Sequence, residues 1–494
     1  MKATDTRQLD LQELPAAARH LRESGARMRM VYAVVAAHSN LELRYLAVPA
    51  GTSPFILWRC NVTGDPPSLA EIWPLLGWYE REIMDLYGIR FRGHPEPNRL
   101  VLHDNSAPPL TPVGREYAQP DPLPAANGTW SLPELVAPDV QTLPFGPVRA
   151  DVLESAEFTF LYIGEQILHY QPHLFYKHRG MEQRFEGLDP VRGVVLAERV
   201  SGVGSAAHAL AFCQAVEAAC DCVVPTRALW LRVLLAELER LYNHLHYLGH
   251  LCNTTTLKVG EAQGKLLEET AKQINARLTG SRFLRSLLVP GGLRRDLQPE
   301  GWLRDALESL REEIASYVRH LEASESHLDR LITTGVLSSR VAFDQGATGP
   351  IQRASNTDRD LRRDHPYAAY AELPLTVPVR PEGDAYARAR VRIEEIDASI
   401  ALMQRVLLLL PDGEIRRPCR PVPSAEGLGW AESPRGSLFY AVHFDRSGRL
   451  ARVKIKSPSF SNWRVFPFTV HETNMMDYAI NEASFGLTIA GCAR

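Results

Sequence analysis

Thiolates are the protein groups that grip soft transition metals and iron–sulfur clusters, so the cysteines set the first limit on the chemistry. There are seven, at positions 60, 213, 220, 222, 252, 419 and 492. Metal and cluster sites need several thiols at short spacing, typically CxxC, and no CxxC occurs. Cys220-Asp221-Cys222 is the closest pair, and two alternate residues do not make a complete site. The cysteines read as buried free thiols in a reducing compartment, with no metal site among them. No GxGxxG follows a strand-like run, so nicotinamide has no Rossmann turn to bind here. The charged runs Arg294-Arg295-Asp296 and Arg359–Asp364 read as solvated faces.

The elements that must carry any site fall into two groups. Residues 1–104 alternate α and β signals. Met28–Ala37 and Leu41–Val48 are strand-like around the polar tip His38-Ser39-Asn40, and Pro54–Asn61 is a further strand. Leu69–Leu86 has apolar residues at helical spacing. Residues 105–145 hold nine prolines among Gly and Asn, from Pro108 to Pro144, and read as a linker, because proline lacks the amide proton and fixes its own torsion. From 146 the pattern opens with a strand pair, Glu157–Ile163 and Gln166–Tyr170, turning at Gly164-Glu165. Helices are expected over Ala206–Ala219, Pro225–Gly249, Glu261–Ala276, Leu303–Ile332 and Tyr386–Leu409, long enough for a bundle core. Leu438–Phe444 and Leu450–Lys456 flank a hairpin turn at Asp445–Gly448. The fold class is α+β: an α+β domain, then a mainly helical bundle domain with small β hairpins.

Composition narrows the partners. Of 494 residues, 45% are hydrophobic and 23% charged, and the formal net charge of -3 gives no reason to expect nucleic acid. No run of 18 apolar residues is free of charge, so no bilayer span is expected. The opening Met1-Lys-Ala-Thr-Asp-Thr-Arg7 lacks an apolar h-region, so a cytoplasmic protein, docked on a membrane partner, is expected.

Glu80-Arg-Glu-Ile-Met-Asp85, continuing through Gly88-Ile-Arg-Phe-Arg-Gly-His94-Pro95, resembles the ERExxDxxGIxFxGHP signature of the 30 kDa subunit of complex I. Such residues set packing and an interface more than they do chemistry. From Gly146 onward the chain resembles the large subunit of the [NiFe]-hydrogenase and complex I 49 kDa superfamily. Five stretches carry this: His178-Arg-Gly-Met-Glu182, Glu237-Leu-Glu-Arg-Leu-Tyr-Asn-His244, Pro290–Asp296, Gly346–Pro350 with Arg353 and Asp364-His-Pro-Tyr367, and Gly383-Asp384 with Glu432-Ser-Pro-Arg-Gly436. Fusion of both subunits in one chain resembles the membrane-bound group that includes formate hydrogenlyase and hydrogenase 4.

The resemblance implies where a nickel–iron centre would sit and what is absent there. The family binds nickel with two CxxC motifs. The first aligns with Arg199-Val-Ser201-Gly202-Val203-Gly204, putting Ser201 and Gly204 at the cysteine positions; the second aligns with 488–494, putting Thr488 and Gly491 there. All four thiolates are missing, and Cys492 is one place off. Glycine offers no ligand atom, and a hydroxyl keeps its proton near neutral pH, so no metal is expected. Ending at Arg494, without the C-terminal piece that nickel-loaded relatives lose on maturation, agrees with that expectation.

Complex I relatives hold a quinone headgroup with a histidine and a tyrosine. Those positions fall at Leu153 and near Gly202, with Arg149 at an earlier histidine position, so ordinary quinone reduction is not supported. Tyr176, His178 and His208 are the nearest groups to hold a quinone otherwise. Glu154 aligns with a proton-relaying glutamate and Arg435 with the guanidinium over the metal, making them a candidate proton relay or an ion pair in an old cavity. His208 matches a family histidine and reads as packed.

The function implied is that of a nickel-free subunit of a complex I-like oxidoreductase, not itself a functional hydrogenase. It would couple electron transfer to proton or cation movement. The alternatives are a non-redox scaffold with a vestigial cavity, and quinone reduction with non-standard headgroup ligands. No cofactor is expected on this chain; a [4Fe–4S] cluster would sit in an iron–sulfur small subunit. Antiporter-like membrane subunits would anchor the pair at the cytoplasmic side of the inner membrane, and the charged loops could pass charge changes toward them.

Overall fold

The computed structural model describes residues 4–35, 41–49, 54–103, 139–149, 154–299, 301–471 and 473–494. The tip at 38–40, most of the proline-rich stretch and Leu153 lie outside them.

The N-terminal unit is a four-stranded sheet of Thr4–Gln8, Phe55–Asn61, Leu41–Val48 and Arg27–Val35, in that spatial order. Its first strand runs parallel to Phe55–Asn61, pairing Thr4 with Phe55, and nothing in its polar sequence announced it. The signature helix spans Leu76–Tyr87 and ends at Gly88, whose φ of 70° closes it. It is shorter than expected because Pro74 removes an amide and disfavours helical torsions at Trp73.

The proline-rich stretch is not linker to its end. Gln141–Phe145 is a strand pairing antiparallel with Glu157–Ile163, which pairs in turn with Gln166–His173. The helical body centres on Thr226–Thr254, packed against Lys258–Thr279 and Ala385–Leu409. The run expected as one helix over Leu303–Ile332 breaks at Ser324 into Gly301–Glu322 and Glu325–Leu331.

A second three-stranded sheet, Glu426–Ser433, Gly436–Phe444 and Leu450–Lys456, lies on helix Ser205–Ala219. Its first strand escapes sequence reading because Gly427 and Gly429 are poor strand formers. The packing explains them: a Cβ at either glycine would lie 2.1 Å from a helix carbonyl, that of Ala215 or Ala211. One continuous apolar core runs through both units.

The charged run at 359–364 is not a solvated face. Asp360 and Arg362 are 1% and 2% exposed. Arg362 clasps Asp360 at 2.7 Å and reaches Glu237 at 3.2 Å. Arg353 pairs with Glu395, whose other oxygen lies 2.7 Å from His244 Nε2. Motifs far apart in sequence thus neutralise one another inside the protein, as buried charges must.

Candidate functional site

Two loops build the site. The first leaves helix Pro190–Val200 at Ser201, which is extended, and enters helix Ser205–Ala219 after Gly204. The new helix needs acceptors for its first amides. Glu239, on the central helix, supplies both carboxylate oxygens to Ala206 N and Ala207 N at 2.7 and 2.9 Å. Burial pushes the Glu239 carboxyl up to about 7, against the pull of those two amides. Asn243, one turn on, donates to Val203 O at 2.8 Å and fixes the loop.

The second loop is Leu487–Gly491. The Thr488 hydroxyl accepts from Gly491 N at 3.2 Å, capping the turn Ile489–Cys492. It also lies 3.2 Å from the Ser459 hydroxyl. Arg179 ties the loops together, donating to Val200 O at 2.6 Å and to Ala490 O at 3.0 Å. Ser201, Gly204, Thr488 and Gly491, the residues expected at the thiolate positions of the family's motifs, therefore converge on one cavity, with His208 and Arg435.

Hydroxyls dominate its lining: Ser201, Ser433, Ser457, Ser459 and Thr488. The room left is about 10 Å³, enough for at most one water. Arg435 donates to Gly486 O at 2.8 Å and to Asn243 Oδ1 at 2.7 Å. Burial pushes its guanidinium down to about 10. His208 Nδ1 lies 2.8 Å from the Tyr440 hydroxyl. Burial, reinforced by the Arg179 and Arg435 charges, holds this imidazole down to about 3, so it is neutral at pH 7.

Other expected residues lie at the margin. Glu154 accepts from Ile489 N and makes no ion pair with Arg435 among the described residues; the carboxylate braces the second loop instead. His178 Nδ1 sits 3.3 Å from Ala493 O, outside the cavity lining. Tyr176 is 39% exposed and donates to Glu157, so it does not face the cavity. Arg149 forms a two-pronged pair with Glu482 at 3.0 and 3.1 Å. Cys492 is fully buried, its thiol pushed up by burial, and is not part of the lining. Arg179, Asn243, Glu239, Ser457 and Ser459 were missed by sequence reading. Arg179 lay inside a recognised motif, and Ser457-Pro458-Ser459 carried only a helix-start signal.

Among the described residues no helix is long and apolar enough to cross a membrane. Family models match three parts of the chain: the respiratory-chain NADH dehydrogenase 30 kDa subunit over residues 8–121, the 49 kDa subunit over 267–421 and 418–494, and the nickel-dependent hydrogenase over 179–280. Formate hydrogenlyase subunit 5 of Escherichia coli K12 is 32% identical over 448 residues, covering 87% of this chain and 78% of that one. Hydrogenase-4 component G of the same organism is 31% identical, covering 83% and 72%. The fused C/D component of an NADH-quinone oxidoreductase from Rhodopseudomonas palustris BisB18 is 28% identical, covering 82% and 78%. Among solved structures, a chain of the membrane-bound sulfane sulfur reductase, an archaeal respiratory membrane complex, aligns with a TM-score of 0.69 at 26% identity, over 73% of this chain and all of that one. The relatives are thus subunits of complex I-like and hydrogenase-related complexes. The chain belongs to the family of fused large subunits shared by the membrane-bound hydrogenase complexes and complex I.

Proposed function

We propose that this chain is a nickel-free large subunit of a membrane-associated, complex I-like oxidoreductase that couples electron transfer to proton or cation movement. One observation carries the reading: Ser201, Gly204, Thr488 and Gly491 line one cavity with hydroxyls, Arg435 and neutral His208, without a single thiol. This donor set does not fit a nickel–iron centre. Two positions are glycine, and Ser201 and Thr488 offer hydroxyls that stay protonated near neutral pH. Electrons would reach the cavity from a [4Fe–4S] cluster in an iron–sulfur partner. Antiporter-like membrane subunits would hold the assembly on the cytoplasmic face. Glu154 and Arg435 would handle protons at the loops they brace.

A scaffold role is favoured by a different observation, the cavity volume of about 10 Å³. A quinone headgroup held by other residues would require the two loops to part. Alanine replacement of Glu154 and of Arg435 in the intact complex separates the readings. Loss of electron-transfer turnover with assembly intact supports the oxidoreductase; unchanged turnover supports the scaffold. Elemental analysis of the purified chain is expected to find no nickel, and about one nickel per chain would overturn the nickel-free reading.

A further inference from the structure

A second cavity separates the N-terminal sheet from the helical body. Its inner lobe, about 200 Å³, is lined by Arg29, Gln352, Arg359, His365 and Glu432 among others. An open outer lobe of about 570 Å³ adds Arg22, Arg27 and Arg340 and shares Asp358 and Arg359 with the inner one. Register explains how Arg29 reaches it. Met28 pairs with Ala47 and Met30 with Leu46, so Arg29 is the extra residue of a bulge. A bulge frees a side chain from the ladder and re-aims it.

Three of these arginines form no ion pair among the described residues, although the Glu432 and Asp364 charges act on Arg29 and the Asp364 charge on Arg359. Arg29 is 5% exposed, its Nε has no hydrogen-bond partner, and it forms no ion pair among the described residues. Arg27 is 8% exposed and likewise unpaired at Nε; its guanidinium lies over the Phe343 ring at 4.2 Å. Among the described residues the Arg359 guanidinium donates to Gly25 O alone, at 3.3 Å. The carboxylates nearby are engaged elsewhere. Asp360 is held by Arg362 and Arg353, Glu432 by Arg353, Asp358 and Asp364 by Arg363, and Asp344 by Arg22. His365 Nε2 is a further buried atom without a partner.

Leaving a buried charge unpaired is costly, and Arg27, Arg29 and Arg359 lie near enough to repel one another. Burial together with the Arg29 and Arg359 charges pushes Arg27 down to about 8; burial together with Arg359, against the pull of the Glu432 and Asp364 charges, pushes Arg29 to about 10. Guanidinium stays protonated in proteins, and a bound anion would offset this repulsion. We propose that this cleft binds a tetrahedral oxyanion, either a free phosphate-type ion or the phosphoryl end of a larger ligand, gripped in the inner lobe by Arg29 and Arg359, with Arg27 adding positive charge from the outer lobe. Guanidinium forks match tetrahedral oxyanions, and the inner lobe has room for one with several waters. The more open outer lobe, which shares Asp358 and Arg359 with it, would give a route in. Bound there, the anion would bridge the N-terminal sheet and the helical body.

The test uses the purified full chain and inorganic phosphate, with chloride at equal ionic strength as control. Phosphate is expected to raise the melting temperature and to give a saturable calorimetric isotherm; chloride is expected to do neither. Arg29→Met should weaken phosphate binding at least tenfold, yet melt higher than the parent in anion-free buffer, because an unpaired buried charge is gone. Arg29→Lys should keep part of the response. Pyrophosphate or AMP binding tenfold tighter than phosphate identifies a phosphoryl ligand; binding no tighter identifies the free ion. Equal responses to phosphate and chloride, or an undiminished phosphate response in Arg29→Met, would overturn the proposal.

Discussion

Arg494 donates from Nε to Oε1 of Glu182 at 2.9 Å, joining residue 494 to the motif that ends at Glu182. Its other arm reaches both oxygens of Glu82 at 2.9 and 3.0 Å. Arg452 and Lys454 complete the cluster at 2.7 Å from Glu182 and Glu82. Two signatures recognised separately, one from each unit, are thus parts of one buried ionic knot. Burial works to raise the Glu182 carboxyl, but the Lys454, Arg452 and Arg494 charges outweigh it and hold it well below the usual carboxylate range.

Removing that charge should be expensive. Glu182→Gln leaves three buried cations short of a partner and is expected to cost about 3–5 kcal/mol, measured by denaturant unfolding at neutral pH. Because the folded state lowers this acid's pKa, its contribution is complete above the unfolded value and fades as pH falls below it. The gap between parent and Glu182→Gln should therefore narrow in acid. A gap that stays constant from pH 7 to pH 3 would contradict the role of charge.

His208 gives a pH dependence with a defined window. Its folded value of about 3 lies below the ordinary imidazole range, so the unfolded chain binds more protons between about 3 and 6.5. Stability should fall as pH drops through that window, by about 2 kcal/mol at pH 5. His208→Phe should flatten this slope. Imidazole NMR should find His208 neutral at pH 5; a protonated ring there would refute the assignment.

Glu239 acts in the opposite direction. Its carboxyl is raised to about 7, so the folded state binds more protons between about 4.5 and 7, and stability should fall as pH rises through that range. Glu239→Gln keeps an acceptor for the helix amides and should remove this slope. Comparing it with His208→Phe separates two trends that cancel in the parent.

Gly264 sits where the central helix meets its neighbour. A Cβ there would lie 2.6 Å from Gly249 Cα and 2.7 Å from the Tyr317 hydroxyl. Gly264→Ala is expected to destabilise by about 1–3 kcal/mol despite its better helix propensity. A neutral or stabilising effect in thermal unfolding would mean the helices separate easily.

The cysteines divide into two groups. Cys60, Cys213, Cys252 and Cys492 are buried, whereas Cys220, Cys222 and Cys419 are partly exposed, with the Cys419 thiol interacting with the other two. A hydrogen bond from Cys419 lowers Cys220, against the effect of burial. In the native chain, thiol reagents should label the second group, Cys220 first, and reach the others only on unfolding.

The sequence by itself determined the two-part α+β plan, the helices with strong apolar periodicity, and the absence of sulfur at 201, 204, 488 and 491. These are local or motif-borne signals, and each is written within a few residues. It could not show that Ser201 and Thr488 close on a nearly filled cavity, because that depends on how Arg179 draws two distant loops together. Nor could it show that Asp360 and Arg362, within the run Arg359–Asp364, are interior. A charged run reads as solvated until its partners are known, and these stand at 237, 353, 395 and 432. The polar strand Thr4–Gln8 and the unpaired Arg29 were hidden for the same reason. Periodicity reports what a segment does alone; the burial of charge is decided by which remote side chains arrive to neutralise it, and that only the tertiary structure supplies.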